Sequence, residues 1–119
     1  MANARHQLGQ RGEILAAGYL QHQGFRLIAS NWRTRLGEID LVMVAPDATT
    51  VFVEVKTRWA HDAQPLENIT GRKQRILIAA AQTYLSVHEL DDVIWRFDVI
   101  AVTLTPPPRI DHIPDAFSW

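Results

Sequence analysis

Apolar and polar positions along this chain follow two periods. Leu8, Ile14, Leu15, Ala16, Ala17, Tyr19 and Leu20 supply one apolar side, and Gly24 follows, which predicts a helix from about Arg5 to Gln23. Short apolar runs then predict strands at FRLIAS (25–30), EIDLVMVA (38–45) and VFVEVKTR (51–58), with NWRTRLG and PDATT as turns. WAHDAQPLEN (59–68) reads as a loop. Ile76, Leu77, Ala80, Ala81, Tyr84 and Leu85 predict a second helix from near Thr70 to about Val87. WRFDVIAVTL (95–104) reads as a fourth strand. Pro106, Pro107 and Pro108 end regular structure, so residues 106–119 are expected to form an irregular or extended tail to a domain spanning 1–105.

The order helix, three strands, helix, strand, with middle strands apolar on both faces, predicts a three-layer α/β/α domain. A strand–helix–strand crossover makes the last strand parallel to the third, so the central sheet is expected to be mixed.

Charges interrupt the apolar strands at FVEVKT. Glu54 and Lys56 alternate with Val53 and Val55, the ordinary pattern of a half-buried strand with a wet face. Register offers a second reading. If Pro46–Thr50 form the hairpin loop, Ala45 pairs with Val51, Val42 with Glu54 and Asp40 with Lys56. Asp40, Glu54 and Lys56 then share one face with an apolar floor of Val42, Val44 and Phe52. The other face, with Ile39, Leu41, Met43, Val53 and Val55, is wholly apolar. Glu13 lies on the helical stripe of Gly9, Ala16, Ala17 and Leu20, a packing face that could carry it to the same place.

Neighbouring carboxylates repel one another, and a divalent cation removes the conflict. Asp40, Glu54 and the Val55 carbonyl suit Mg²⁺ (or Mn²⁺), a hard ion held by oxygen. Lys56 beside them could stabilise charge building on a phosphate, so the set predicts metal-assisted phosphodiester hydrolysis.

Composition narrows the setting. Among 119 residues there is no cysteine, which excludes disulfides, thiolate nucleophiles and cysteine-bound zinc. No apolar stretch reaches a membrane span, and the polar N-terminus does not read as a signal peptide, so a soluble cytoplasmic protein without membrane contact is expected. The net charge is −1, but ten of the twelve Lys and Arg residues lie at or before Arg75. The five histidines show no zinc-binding spacing. Arg33 and Arg35 beside Trp32, and Arg58 beside Trp59, could grip nucleic acid, as could Arg72, Lys73 and Arg75 at a helix start. A core-edge tryptophan and a solvated helix face are the competing readings of those clusters.

The spacing of Glu13, Asp40 and Glu54-x-Lys56 resembles the PD-(D/E)XK nuclease superfamily of restriction enzymes and Holliday junction resolvases. Nearly the whole chain is similar to the YraN-like family of small bacterial proteins, through GQRGEILAAGYL, GFRLIASNWRTRLGEIDLV, VFVEVKTR, TGRKQRILIAAAQTYL and RFDVIAV. The resemblance implies a restriction-endonuclease-like core, metal at Asp40 and Glu54, catalytic stabilisation by Lys56 and an accessory acidic role for Glu13. It further implies that Thr70, Arg72 and Lys73 face the active-site side. DNA is the implied substrate, at branched or otherwise structured sites, and a symmetric homodimer is compatible with it. Two departures stand out: WAHDAQPLEN replaces the family's glycine-containing loop, and Ile39 precedes Asp40 where the superfamily motif has proline. The rival reading is a non-catalytic nucleic-acid-binding or assembly module on the same fold.

Overall fold

The computed structural model of the chain describes residues 4–61 and 69–117. In chain order they form α1 (Ala4–His22), β1 (Arg26–Arg33), β2 (Glu38–Val44), β3 (Thr50–Trp59), α2 (Gly71–Val87), β4 (Trp95–Leu104) and β5 (Arg109–Ile113). One five-stranded sheet runs β1-β2-β3-β4-β5, parallel between β3 and β4 and antiparallel elsewhere. The crossover through α2 produces that single parallel pairing.

Each helix covers one face. Ala16 and Leu20 of α1 pack with Leu41, Met43, Val53 and Ile100. Leu77, Ala81 and Tyr84 of α2 pack with Val42, Phe52 and Phe97 on the other face. The fold is therefore a three-layer α/β/α sandwich around a mixed sheet. No helix among the described residues is long and apolar enough to cross a membrane.

Local chemistry sets the helix ends. Gly24, at φ +93°, lets the Phe25 N–H return to Leu20 O and the Gly24 N–H to Gln21 O, both at 3.0 Å, which closes α1. Thr70 caps α2 by accepting the Lys73 N–H at 3.1 Å.

Three expectations change. The hairpin has a five-residue loop, but it spans 45–49: Val44 pairs with Thr50, Val42 with Phe52 and Leu41 with Val53. The Ala45 N–H bonds Thr49 O at 2.9 Å and Asp47 Oδ1 accepts the Thr49 N–H at 3.0 Å, closing the loop one residue early. The pairing moves by two residues from the expected register.

The first strand does not stop at Ser30. Trp32 pairs with Ile39 and meets the Tyr84 ring edge-on at 5.1 Å, so β1 runs to Arg33 and only 34–37 turn. Residues 106–117, the described part of the expected tail, are not simply extended either. Arg109–Ile113 add an edge strand to β4, and Phe117 is buried, stacked on Phe97 at 4.7 Å. Behind β5 the buried Asp98 takes bonds from Arg96 Nε (3.0 Å), His112 Nε2 (2.7 Å) and the Asp115 N–H (2.9 Å), a structural anchor for the segment. The expected loop falls outside the described residues from 62 to 68.

Candidate metal centre

The β2–β3 ladder ends at Leu41–Val53, whereas β3 continues to Trp59 bonded to β4 alone. The two strands fork there, and Asp40 is the first residue of β2 inside the gap. Its Oδ2 accepts the Val55 N–H at 2.8 Å, occupying a donor left by the departing strand. In an extended strand a residue's N–H and C=O point the same way, so the Val55 carbonyl is directed into this gap too.

Glu54 approaches from the α2 side. It is only 6% exposed, and its Oε2 has no hydrogen-bond partner. Burial pushes its pKa up to about 9, assisted by carboxyl contact with Asp40 and the charge of Asp40; Lys73 and Lys56 offset this only partly. The Lys73 ammonium lies 4.0 Å from Oε2.

Glu13 arrives from the α1 side. Its pKa is raised to about 7, first by burial, then by Asp40, with Glu38 adding repulsion. Gly12 permits the approach: a Cβ at this position would overlap the Thr57 side chain of β3. Glu13, Glu38 and Asp40 bring one carboxylate oxygen each within 4.8 Å of one another.

A neutral group holds this trio from β1. Ser30 pairs with Leu41 and Trp32 with Ile39, which sets Asn31 opposite Asp40. Carboxylates only accept, so the amide nitrogen faces them. It donates to Glu13 Oε1 and Oε2 at 3.0 and 3.2 Å and to Glu38 Oε1 at 2.7 Å. Asn31 has φ +54°, a left-handed conformation asparagine adopts more readily than most residues. Together Glu13, Asn31, Arg33 and Glu38 line part of an open cleft of about 490 Å³.

The other candidates take distinct places. Lys56 follows Glu54 on the α2 side of β3 and is half-buried. Lys73 meets Glu54 from the first turn of α2, with Arg72 exposed beside it, and Thr70 spends its hydroxyl on the helix cap. Arg33 pairs with Glu38 at 3.7 Å, while Arg35 is exposed in the next turn. Arg58 donates to Thr103 Oγ1 at 3.3 Å. Trp32 belongs to the α2-side core, whereas Trp59 is 38% exposed and stacks on His61.

Such a set can do two things without water. It can share protons among its carboxylates, or it can surround a hard cation with oxygen.

Residues 12–102, which hold every one of these carboxylates, match the model of the uncharacterised protein family UPF0102. The chain belongs to this family. UPF0102 is the YraN-like group, and the similarity extends beyond the matched core. A UPF0102 protein of Chloroflexus aurantiacus is 51% identical over 94% of this chain and 92% of its own length. One from Nitratidesulfovibrio vulgaris is 44% identical over 98% and 88%, and one from Geobacter sulfurreducens 48% identical over 92% and 88%.

In this UPF0102 chain Glu54 and Lys56 share the α2-side face as expected, but Asp40 stands at an irregularity of β2. Ile39 packs with the α2-side core and Leu41 with the α1-side core, so alternation breaks between them, at Asp40. The expected all-apolar face thereby loses Ile39. The carboxylates straddle the fork, with Glu13 and Glu54 reaching Asp40 from opposite layers. Glu38, the first residue of β2, stands in the trio. Asn31 was not singled out from sequence; its one signal was an asparagine inside an otherwise strand-like run.

Proposed function

We propose that this protein is a divalent-cation-dependent nuclease hydrolysing DNA phosphodiester bonds, at branched or otherwise structured sites. The observation that carries the reading is the carboxyl contact of Asp40 with a buried Glu54 whose Oε2 accepts no hydrogen bond, in a fork also entered by Glu13. All-oxygen donors and crowded carboxyl groups, whose protons a cation would displace, fit Mg²⁺ or Mn²⁺. Asp40, Glu54 and the Val55 carbonyl would hold the ion, with Glu13 and Glu38 beside Asp40. When bound, it supplies Lewis acidity toward a phosphoryl oxygen.

The protein's own groups do the rest. In hydrolysis a bond forms from water oxygen to phosphorus and one ester P–O bond breaks. The water proton passes to a basic group, and the departing oxygen is protonated. Lys56 offers positive charge where phosphoryl charge builds. Arg72, Lys73 and the opening amides of α2 offer a phosphate-binding helix start, and Arg33, Arg35 and Arg58 further contacts. A symmetric homodimer would bring two such sites to one branched substrate. A DNA substrate and a cysteine-free chain suit a cytoplasmic setting.

The near-neutral charge of −1 favours a second reading, a nucleic-acid-binding or assembly module without catalysis. Incubation with single-stranded, duplex, flap and four-way-junction DNA, with and without Mg²⁺ or Mn²⁺, separates them. Cation-dependent cleavage that disappears in Asp40→Ala is expected. Binding with no cleavage under either metal would support the module instead.

A further inference from the structure

The turn joining β1 to β2 carries a side chain that the metal centre does not use. Leu36 is 66% exposed at its tip, between the exposed Arg35 and the half-buried Gly37. A lone exposed leucine is commonplace, but this one is held stiffly. Thr34 Oγ1 accepts the N–H groups of Leu36 and Gly37, each at 3.1 Å. The same hydroxyl donates to Gly37 O at 3.0 Å, and the Thr34 N–H bonds that carbonyl at 2.8 Å. The turn is also braced from behind: a Cβ on Gly37 would come within 2.8 Å of the Ile76 methyl of α2. Only glycine lets the turn lie this close to the helix.

Its position gives the stiffness a purpose. Glu38 and Asp40 follow directly, and at the strand rise Leu36 stands roughly 13 Å along the chain from Asp40. Arg35 is exposed next to the tip, and Arg33, paired with Glu38 at 3.7 Å, stands at the end of β1. An apolar tip beside an exposed arginine suits a nucleic acid, whose phosphate takes the guanidinium while a gap between bases takes the leucine. Opening an intact stack costs binding energy, whereas at a branch point the stack is already interrupted.

We infer that the 34–37 turn is a wedge whose Leu36 enters the base stack at a DNA branch point and so selects branched over linear substrates. The inference rests on the nuclease reading for its substrate, and it concerns recognition rather than cleavage.

The test is an equilibrium titration at low salt without divalent cation. A four-way junction and a linear duplex each carry 2-aminopurine, at the branch and at the matching position. Wild type is expected to prefer the junction and to brighten the probe there as the base unstacks. Leu36→Ala should lose the brightening and roughly tenfold in junction affinity, about what burying most of a leucine side chain supplies, with duplex affinity unchanged. Leu36→Met should retain both. A Leu36→Ala protein that brightens and prefers the junction like wild type overturns the wedge, even if Mg²⁺-dependent cleavage is intact. Brightening without cleavage under any metal would instead sink the nuclease reading and leave the wedge standing. Failure of wild type to bind either DNA overturns both, and would mark the tip as a protein contact.

Discussion

Asp40 accepts the Val55 N–H at 2.8 Å, at the point where β2 has left β3. That bond joins β2, which carries Asp40, to β3, which carries Glu54 and Lys56. It also orders the fork before any ligand arrives, since the gap is fixed by backbone rather than by long side chains.

The first consequence is a pH dependence of the metal-free fold. Glu54 has a folded pKa of about 9 against an ordinary 4.5, so the folded chain keeps a proton that the unfolded chain loses between those values. Its contribution to stability is fully present below about pH 4.5 and is lost as pH rises toward 9. Glu13, raised to about 7, acts with the same sign over 4.5 to 7. Thermal melts in chelator should therefore show stability falling from pH 5 to 9. Glu54→Gln should flatten the fall and exceed wild type by about 1–2 kcal/mol at pH 8.

Lys56 should act on charge that develops in the reaction. Lys56→Ala is expected to bind Mn²⁺ as wild type does while its cleavage rate falls by about 10²–10³-fold, as for loss of an electrostatic stabiliser. Parallel calorimetry and single-turnover cleavage check this. Equal losses in both would make Lys56 a structural partner of Glu54.

Asn31 should matter for aim rather than for folding. Asn31→Gly keeps the left-handed backbone accessible and removes the amide from Glu13 and Glu38. Mn²⁺ affinity is expected to drop about 10–100-fold with the melting temperature nearly unchanged. Unchanged affinity would reduce the amide to a surface contact.

Gly12 tests how Glu13 is delivered. Gly12→Ala forces a methyl against Thr57, so α1 must shift from β3. A loss of about 1–3 kcal/mol is expected in denaturant melts, and Gly12→Ala with Thr57→Ala should recover much of it. A Gly12→Ala protein more stable than wild type, as alanine's better helix preference alone would make it, would show that contact with Thr57 does not set this position.

Much of this was legible in the residue pattern, and particular residues explain what was not. Gly24 and Thr70 mark helix ends because their local chemistry suffices, and β4 shows as one apolar run. Loop length could be read, but not that Asp47 would close the loop one residue early. Alternation placed Glu54 beside Lys56, yet it cannot foresee that Ile39 turns to α2 while Leu41 stays under α1. That break sits where β2 leaves its hairpin partner β3, which continues against β4, a strand far away in sequence. β5 escaped notice because its five residues become a strand only through β4, and because Phe117 finds its partner, Phe97, twenty residues away. Asn31 carries no charge, and its role exists only once Glu13 and Glu38 meet.

The central claim, that Asp40 and Glu54 hold a divalent cation, is tested most directly by calorimetric Mn²⁺ titration of wild type and Glu54→Gln at one pH. Wild type should bind, and the variant at least about tenfold more weakly, while its metal-free melting temperature is equal or higher. A variant that binds Mn²⁺ as wild type does would contradict the account and return Glu54 to an ordinary buried strand position.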